Sequence, residues 1–300
     1  MLDRLQLPPE FVEHNQTDPD WLRRLPDLLE GLAKRWSLRI ESHFPELSYN
    51  YVAPAVRIGS GERCVLKVSR YFSDMGNELA ALRLWNGRGA ARLIEADAAV
   101  GAMLLERLDP GNMLVDIAEM DDDVATRIAA DVLRQLWSSV PGDGTRSGLR
   151  PLTSWCEAYE RTRHALTQGV EGFPRALFER ADDLRQQLLA STTEVTVLHG
   201  DLHHYNVLRG RDDAWLAIDP KGLAGDRCFD VCQFFINPKD RPTLEMNRRR
   251  LDIFCSELDL DRRRTKDWCL VHAVLDACWQ FEDGHSLQAA IARAEATLHY

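Results

Sequence analysis

The chain has no excess of basic residues. Its 37 Lys and Arg stand against 47 Asp and Glu, a net charge of -10. A nucleic-acid binder needs a basic patch to displace counterions, so that class is disfavoured from the start. The negative balance suits a cationic small-molecule partner, although much of it belongs to solvated surface. Long apolar runs are missing too. No uninterrupted stretch approaches the ~18 residues that a membrane span needs. The opening "MLDRLQLPPEFVEH" has no basic segment followed by an apolar core, so no secretory signal is expected. Cysteine pairs are absent: the seven cysteines, at 64, 156, 228, 232, 255, 269 and 278, contain no CxxC and are odd in number. They read as reduced thiols of a cytoplasmic protein.

Several signature motifs are also lacking. Without GxxxxGK[ST] a Walker-type nucleotide site has no support, and GxGxxG does not occur either. HExxH is absent, and no cysteine lies near the histidines of residues 199–204, so a zinc site there is a weak reading. No internal repeat or low-complexity tract breaks the chain.

What is present describes a globular protein. With 300 residues, 45% hydrophobic and 28% charged, it has enough length for two lobes, each with its own core. Residues 19–35 place Trp21, Leu22, Leu25, Leu28, Leu29 and Leu32 at helical spacing. Strands are expected in "WSLRIESHF" (36–44), "NYVAPAVRI" (50–58) and "RCVLKVS" (63–69), with Gly59-Ser60-Gly61 as a hairpin turn. "MGNELAALRLW" (75–85) is a helix ended by Gly87 and Gly89, and "ARLIEADAAV" and "AMLLERL" are two more strands joined at Gly101. After a hinge near 106–110 the pattern turns helical, over 123–140, 151–168, 174–190, 227–236, 243–257, 262–282 and 285–298, with a loop at 141–150. The expected fold class is α+β: a small antiparallel-sheet lobe at 1–108 and a large, mainly helical lobe at 109–300.

The chemistry gathers in "LHGDLHHYNVL", residues 198–208. Asp201 and Asn206 are separated by four residues, the D-x-x-x-x-N spacing of kinase catalytic loops. Such a loop points a carboxylate at an incoming hydroxyl while the amide oxygen faces a metal ion. A second acidic residue should follow on a nearby strand, and Asp219 ends the apolar run "AWLAID" after a hairpin-like segment. Lys67, flanked by apolar residues in a strand, would be costly to bury unless paired, and Glu78 on the next helix is its candidate partner. A solvent-facing Lys67 and a surface Glu78 are the bland alternative. "FPELSYN" (44–50) could cover phosphates through Ser48, Asn50 and backbone N–H groups, with an ordinary polar turn nearly as good a reading.

These segments, with "LSYNYVAPA", "NELAALRLWNGRGAARLIEAD", "AMLLERLDPG", "AIDPKGLAGDRCFDV" and Asn237-Pro238, resemble the aminoglycoside phosphotransferase family over about residues 47–238. Within it the chain is similar to the streptomycin 6-kinase branch, the aminoglycoside/hydroxyurea resistance kinases. The resemblance implies a bilobal, protein-kinase-like fold and an ATP- and Mg²⁺-dependent phosphotransferase. It implies Asp201 as catalytic base, Asn206 and Asp219 as Mg²⁺ ligands, and Lys67, held by Glu78, on the nucleotide phosphates. It implies that the backbone of Glu106–Leu108 meets adenine, and that His199 and Asp230 support the catalytic loop. "IDPKG", with "FDV" and Asn237-Pro238, points to this branch, the metal aspartate being followed by Pro220-Lys221-Gly222.

The acceptor is expected to be a cationic or polyhydroxylated small molecule. Glu157, Asp276, Glu282 and Asp283 are candidates to meet it, with Trp155 and Trp279 as walls, although acids on helix surfaces and tryptophans at helical spacing are usually structural. Phosphorylation of a streptomycin-type aminoglycoside at its 6-hydroxyl is the leading expectation. Another hydroxylated metabolite, hydroxyurea, or a non-catalytic nucleotide-binding module are the alternatives. No nucleic acid or membrane partner is expected, and the sequence leaves the oligomeric state open, a monomer included.

Overall fold

The alternation of side chains along one strand decides how the two parts of this protein meet. The computed structural model describes residues 5–139, 148–170, 172–238 and 242–300. The first described helices are α1 (Pro9–Asn15) and α2 (Pro19–Arg35). α2 begins where the Asp18 carboxylate accepts the Trp21 N–H at 2.9 Å and Pro19 fills the first turn. Its buried stripe is Trp21, Leu22, Leu25, Leu29 and Leu32.

Five strands follow: β1 (Leu38–Ile40), β2 (Tyr51–Arg57), β3 (Arg63–Val68), β4 (Leu93–Asp97) and β5 (Ala102–Glu106), all antiparallel in the order β1-β2-β3-β5-β4. Gly59 and Gly61 make the β2–β3 turn at φ +100° and +72°. The strand expected over 36–44 is shorter. Glu41 N–H still donates to Pro54 O at 2.9 Å, but Pro54 has no N–H to return, and the ladder stops. α3 (Phe72–Trp85) connects β3 to β4 and ends at Asn86 and Gly87 in left-handed conformations.

Two apolar cores result. One joins the α2 stripe to Tyr51, Ala53 and Ala55 of β2, Cys64, Leu66 and Val68 of β3, and Ala102 and Leu104 of β5. The other takes Met103 and Leu105 of β5, Met75, Leu79, Leu82 and Trp85 of α3, and the apolar faces of the later helices. Successive strand residues face opposite sides, so β5 serves both cores. On β3 the same alternation sends Cys64 and Leu66 into the first core and turns Val65 and Lys67 toward α3.

The second part contains α4 (Leu114–Ala118), α5 (Asp122–Ser138), β6 (Arg150–Pro151), α6 (Leu152–Trp155), α7 (Ala158–Thr167), α8 (Arg175–Ala190), β7 (Thr196–Leu198), β8 (Val207–Arg209), β9 (Trp215–Ala217), β10 (Leu223–Gly225), α9 (Arg227–Asp230), α10 (Cys232–Phe235), α11 (Leu244–Leu258), α12 (Arg262–Glu282) and α13 (Gln288–Thr297). The helix expected over 151–168 is split, because Tyr159 and Glu160 N–H reach back only three residues, to Cys156 and Glu157. The helix over 227–236 divides at Val231 in the same way. The loop expected at 141–150 lies, up to residue 147, outside the described residues. β8 and β9 form the expected hairpin, and β6-β10-β7 make a small sheet beside it. Among the described residues no helix is long and apolar enough to cross a membrane.

A buried ion cluster holds this part together. Arg250, fully buried on α11, donates to Asp122 at the start of α5 at 2.6 Å and to the carbonyls of Phe234 and Asn237 at 2.9 and 3.0 Å. Its guanidinium also meets His204 Nε2 at 3.3 Å.

Candidate active site

Lys67 leaves β3 on the α3 side, and Glu78 comes up from the buried face of that helix. The ammonium donates to both Glu78 carboxylate oxygens, at 2.8 and 2.7 Å, and also to Asp219 from the other part of the chain. Burial alone would lower the Lys67 pKa, but the two carboxylates outweigh it and hold the pKa raised. Burial would raise the Asp219 carboxyl. The ammonium groups of Lys67 and Lys221 reverse that and hold it well below the usual carboxylate range.

The backbone at Asp219 is in the left-handed region, φ +61°, a sparsely populated conformation for a non-glycine residue. Gly222 follows at φ +63°, and a Cβ there would stand 2.1 Å from the Asn77 carbonyl oxygen. Only glycine lets this turn press against the α3 backbone next to Glu78.

The loop after β7 carries Asp201. Asp230, buried at the end of α9, gathers the N–H groups of Gly200 at 2.7 Å and His199 at 3.0 Å, and the Trp137 indole at 3.0 Å. Burial outweighs these bonds and pushes its carboxyl up to about 6. Gly200 has φ +79°, and a Cβ on it would meet Leu223 Cδ1 at 2.7 Å. His199 Nδ1 accepts the Asp201 N–H at 3.2 Å, so the hydrogen-bond network assigns the proton to Nε2, which donates to Ile218 O at 2.9 Å. Burial pushes this histidine down to about 4, and it is neutral. With both nitrogens engaged by backbone, His199 is a brace for the loop.

Asn206 closes the loop. Its Nδ2 donates to the Asp201 carbonyl at 3.0 Å, which leaves the amide oxygen for another partner. Asp201 Oδ2 lies 3.3 Å from Lys221 Nζ. The histidines of this stretch do not assemble a zinc site. His204 stacks on Phe234 at 3.8 Å and faces Arg250, and burial with that guanidinium pushes it down to about 2. No cluster of three His, Cys, Asp or Glu that could hold a metal occurs among the described residues.

Lys67, Glu78, Asp201, Asn206 and Asp219 all line one cavity of about 550 Å³, and Ser48 and Asn50 line it as well. That is an ordinary size for a small-molecule site. Trp155 is on its wall, with Trp279 packed edge-on behind at 5.3 Å. The other expectations sit elsewhere. Glu106 and Leu108 are not on the lining. The N–H groups of Glu106 and Arg107 are given to the Arg92 and Arg63 carbonyls, at 2.9 and 3.4 Å. Glu157, Asp276 and Glu282 do not line the cavity either. Glu282 is paired with Arg161 at 2.8 Å, and Asp276 with Arg293 at 2.8 Å. The cavity's further charged residues are Asp74 and Lys221, beside Tyr49, Tyr71 and His203. Sequence reading did not select Asp74, Lys221, Tyr49 or Tyr71, and weighed His203 only as a zinc ligand. Each is an ordinary turn or helix-start residue until the fold brings it to the cleft.

The sheet with its single helix over a helical half is the fold of the protein-kinase-like small-molecule kinases. It matches choline kinase LicA from Streptococcus pneumoniae with a TM-score of 0.63 at 13% identity, covering 93% of this chain and 100% of that one. It also matches a thermostable mutant of aminoglycoside phosphotransferase APH(4)-Ia, in ternary complex with AMP-PNP and hygromycin B, with a TM-score of 0.62 at 14% identity, covering 89% and 95%. Within that class, the chain belongs to the aminoglycoside/hydroxyurea antibiotic resistance kinase family, whose model matches residues 35–284. It is 34% identical to a streptomycin 6-kinase of Streptomyces glaucescens, over 96% of this chain and 91% of the relative. It is 32% identical to a hydroxyurea phosphotransferase of Kitasatospora aureofaciens, over 93% and 82%.

Proposed function

We propose that this kinase transfers the γ-phosphoryl group of ATP to a hydroxyl of a streptomycin-type aminoglycoside, at the 6-position, and so inactivates the antibiotic in the cytoplasm. The observation that carries the reading is the convergence of Lys67, Glu78, Asp201, Asn206 and Asp219 on one cavity. Residues 1–108 bind the nucleotide in this reading, and 109–300 supply the catalytic loop and the acceptor site. Lys67, held by Glu78, meets the α- and β-phosphates, and Ser48 and Asn50 cover them. The Leu108 end of the hinge orients adenine.

The donor set fits a hard cation. Asn206 offers an amide oxygen whose NH₂ is already bonded, and Asp219 offers an ionised carboxylate. Mg²⁺ typically takes one or two such ligands and completes its shell with phosphate and water. When bound, it neutralises phosphate charge. Asp201 orients the acceptor hydroxyl and takes its proton. Phosphoryl transfer passes through a loose transition state, so placement matters more than base strength.

A hydroxyurea acceptor is the second reading, favoured by the relative of that activity. An ATP-consumption screen over streptomycin, hydroxyurea and other small hydroxylated compounds, with mass spectrometry of each product, separates them. Streptomycin should gain one phosphate, with fragmentation assigning it to the 6-oxygen. Phosphate on a different acceptor alone, or at a different hydroxyl, overturns the acceptor assignment.

A further inference from the structure

One cation in the cleft has no part in the mechanism above. Lys221 Nζ lies 3.3 Å from Oδ2 of Asp201, the carboxylate proposed to meet the acceptor, and lines the same cavity as Asp219. Its backbone is fixed on both sides. The Lys221 N–H donates to His199 O at 2.8 Å, and the Gly222 carbonyl accepts the Arg150 N–H at 3.3 Å. Its side chain is 37% exposed, so a fixed main chain carries a head group that solvent and ligands can reach.

The charge balance of the cleft shows why this matters. The described lining contains the carboxylates of Asp74, Glu78, Asp201 and Asp219 and the ammonium groups of Lys67 and Lys221. Lys67 is already held by Glu78 and Asp219. A nucleotide triphosphate approaching Asp201 would face carboxylate charge at the point where the phosphoryl group must pass. The pair at 3.3 Å is partly exposed, its side chains 37% and 20% exposed, and a more highly charged partner can displace it.

We propose that Lys221 is a catalytic residue of the transfer step, its ammonium passing from Asp201 Oδ2 to the oxygens of the phosphoryl group in flight. This rests on the phosphotransfer reading above. The acceptor oxygen–phosphorus bond forms as the bond from phosphorus to the β,γ-bridging oxygen breaks. ADP leaves with that electron pair, and the acceptor proton passes to Asp201. Lys221 stays protonated throughout and supplies charge where the equatorial oxygens carry it. Its departure from Asp201 also frees Oδ2 for the acceptor hydroxyl, so the exchange couples acceptor entry to phosphate stabilisation.

The rival is a positioning role, in which Lys221 only holds the Asp201 rotamer. Wild-type transfer is established first; if no acceptor in the screen gains phosphate, the functional reading itself fails. Given transfer, Lys221→Met should lower kcat by about 10²-fold, the scale of a lost transition-state donor. Lys221→Arg should recover part of that loss. In titrations with Mg²⁺ present, Lys221→Met should bind AMP-PNP about tenfold more weakly, as expected for a lost charged hydrogen bond, and bind ADP as the wild type does. A double-mutant cycle with Asp201→Asn, read on acceptor-independent ATP hydrolysis, separates the two roles. A phosphate contact keeps the Lys221→Met loss in the Asp201→Asn background, whereas positioning alone abolishes it there. Unchanged kcat in a folded Lys221→Met protein, or a loss confined to the Asp201 background, overturns the proposal. If Lys221→Met does not fold, Lys221→Gln serves the same comparison.

Discussion

Two clusters of buried charge can be set side by side. One joins Lys67, Glu78 and Asp219; the other joins Arg250, Asp122 and His204. Both contain groups that burial would neutralise without partners. They differ in what is left over. The side chains of Arg250 and Asp122 are 0% and 8% exposed, and the guanidinium is saturated by a carboxylate, two carbonyls and an imidazole. The Asp219 side chain is 42% exposed and faces a cavity shared with Asp201 and Asn206. Perturbed titration marks both clusters, since His204 is shifted as strongly as any residue of the cleft. Unused valence directed into a space marks only one, and there the backbone is strained as well, at Asp219.

The sharpest way to test that contrast is to break the closed cluster. Arg250→Met leaves the Asp122 carboxylate buried and unpaired and should cost about 3–5 kcal/mol in urea denaturation. Whatever protein remains folded should keep its kcat. Breaking the open cluster should do the reverse. Asp201→Ala is expected to lower turnover by about 10²-fold or more, Asp219→Ala by at least as much, with melting temperatures close to wild type. A large stability loss in either would place that carboxylate in the closed category.

Acid sensitivity sharpens the comparison further. His199 and His272 are pushed down to about 4, and His204 to about 2, by burial first. The unfolded chain takes up these protons near pH 6.5, so the unfolded state binds more of them below that. Stability present above pH 6.5 is therefore lost on acidification, at about 1.4 kcal/mol per pH unit for each histidine. Asp230, pushed up to about 6, acts in the opposite sense between its two pKa values. His204→Gln should reduce the slope of denaturation midpoint against pH by one histidine's share between pH 6 and 5. Identical slopes would mean that His204 titrates as it does in water. The smallest effect is expected at Glu282→Gln. That carboxylate is already paired with Arg161, and the acceptor KM should change by less than about twofold, within the range of an exposed pair.

The half of the cavity proposed to be catalytic was legible as a cluster because its chemistry is local. Asp201 and Asn206 share one loop, and an ionisable Lys67 inside an apolar strand demands a partner. The acceptor half was not. Glu282 has the right charge for a guanidinium, but its partner Arg161 lies 121 residues earlier, a distance no periodicity reports. Lys221 reads as a solvent-facing turn residue until Asp219 takes its left-handed conformation and Gly222 meets α3. The long helices, such as α2, α5 and α12, were set by their own apolar spacing. The short elements β6, β10 and α4 were not, because pairing with distant segments, as of Leu223 with Leu198, is what makes them regular.

The docking of Gly222 on the Asn77 carbonyl reaches beyond the cleft. α3 lies between β3 and β4 in sequence, yet its apolar side belongs to the core of the helical part, and this contact pins its first turns there. When the cleft breathes, the helix should travel with the later residues, and the shear plane should run between α3 and the sheet. A fragment severed after residue 108 would carry Met75, Leu79, Leu82 and Trp85 into water, and its first property would be aggregation.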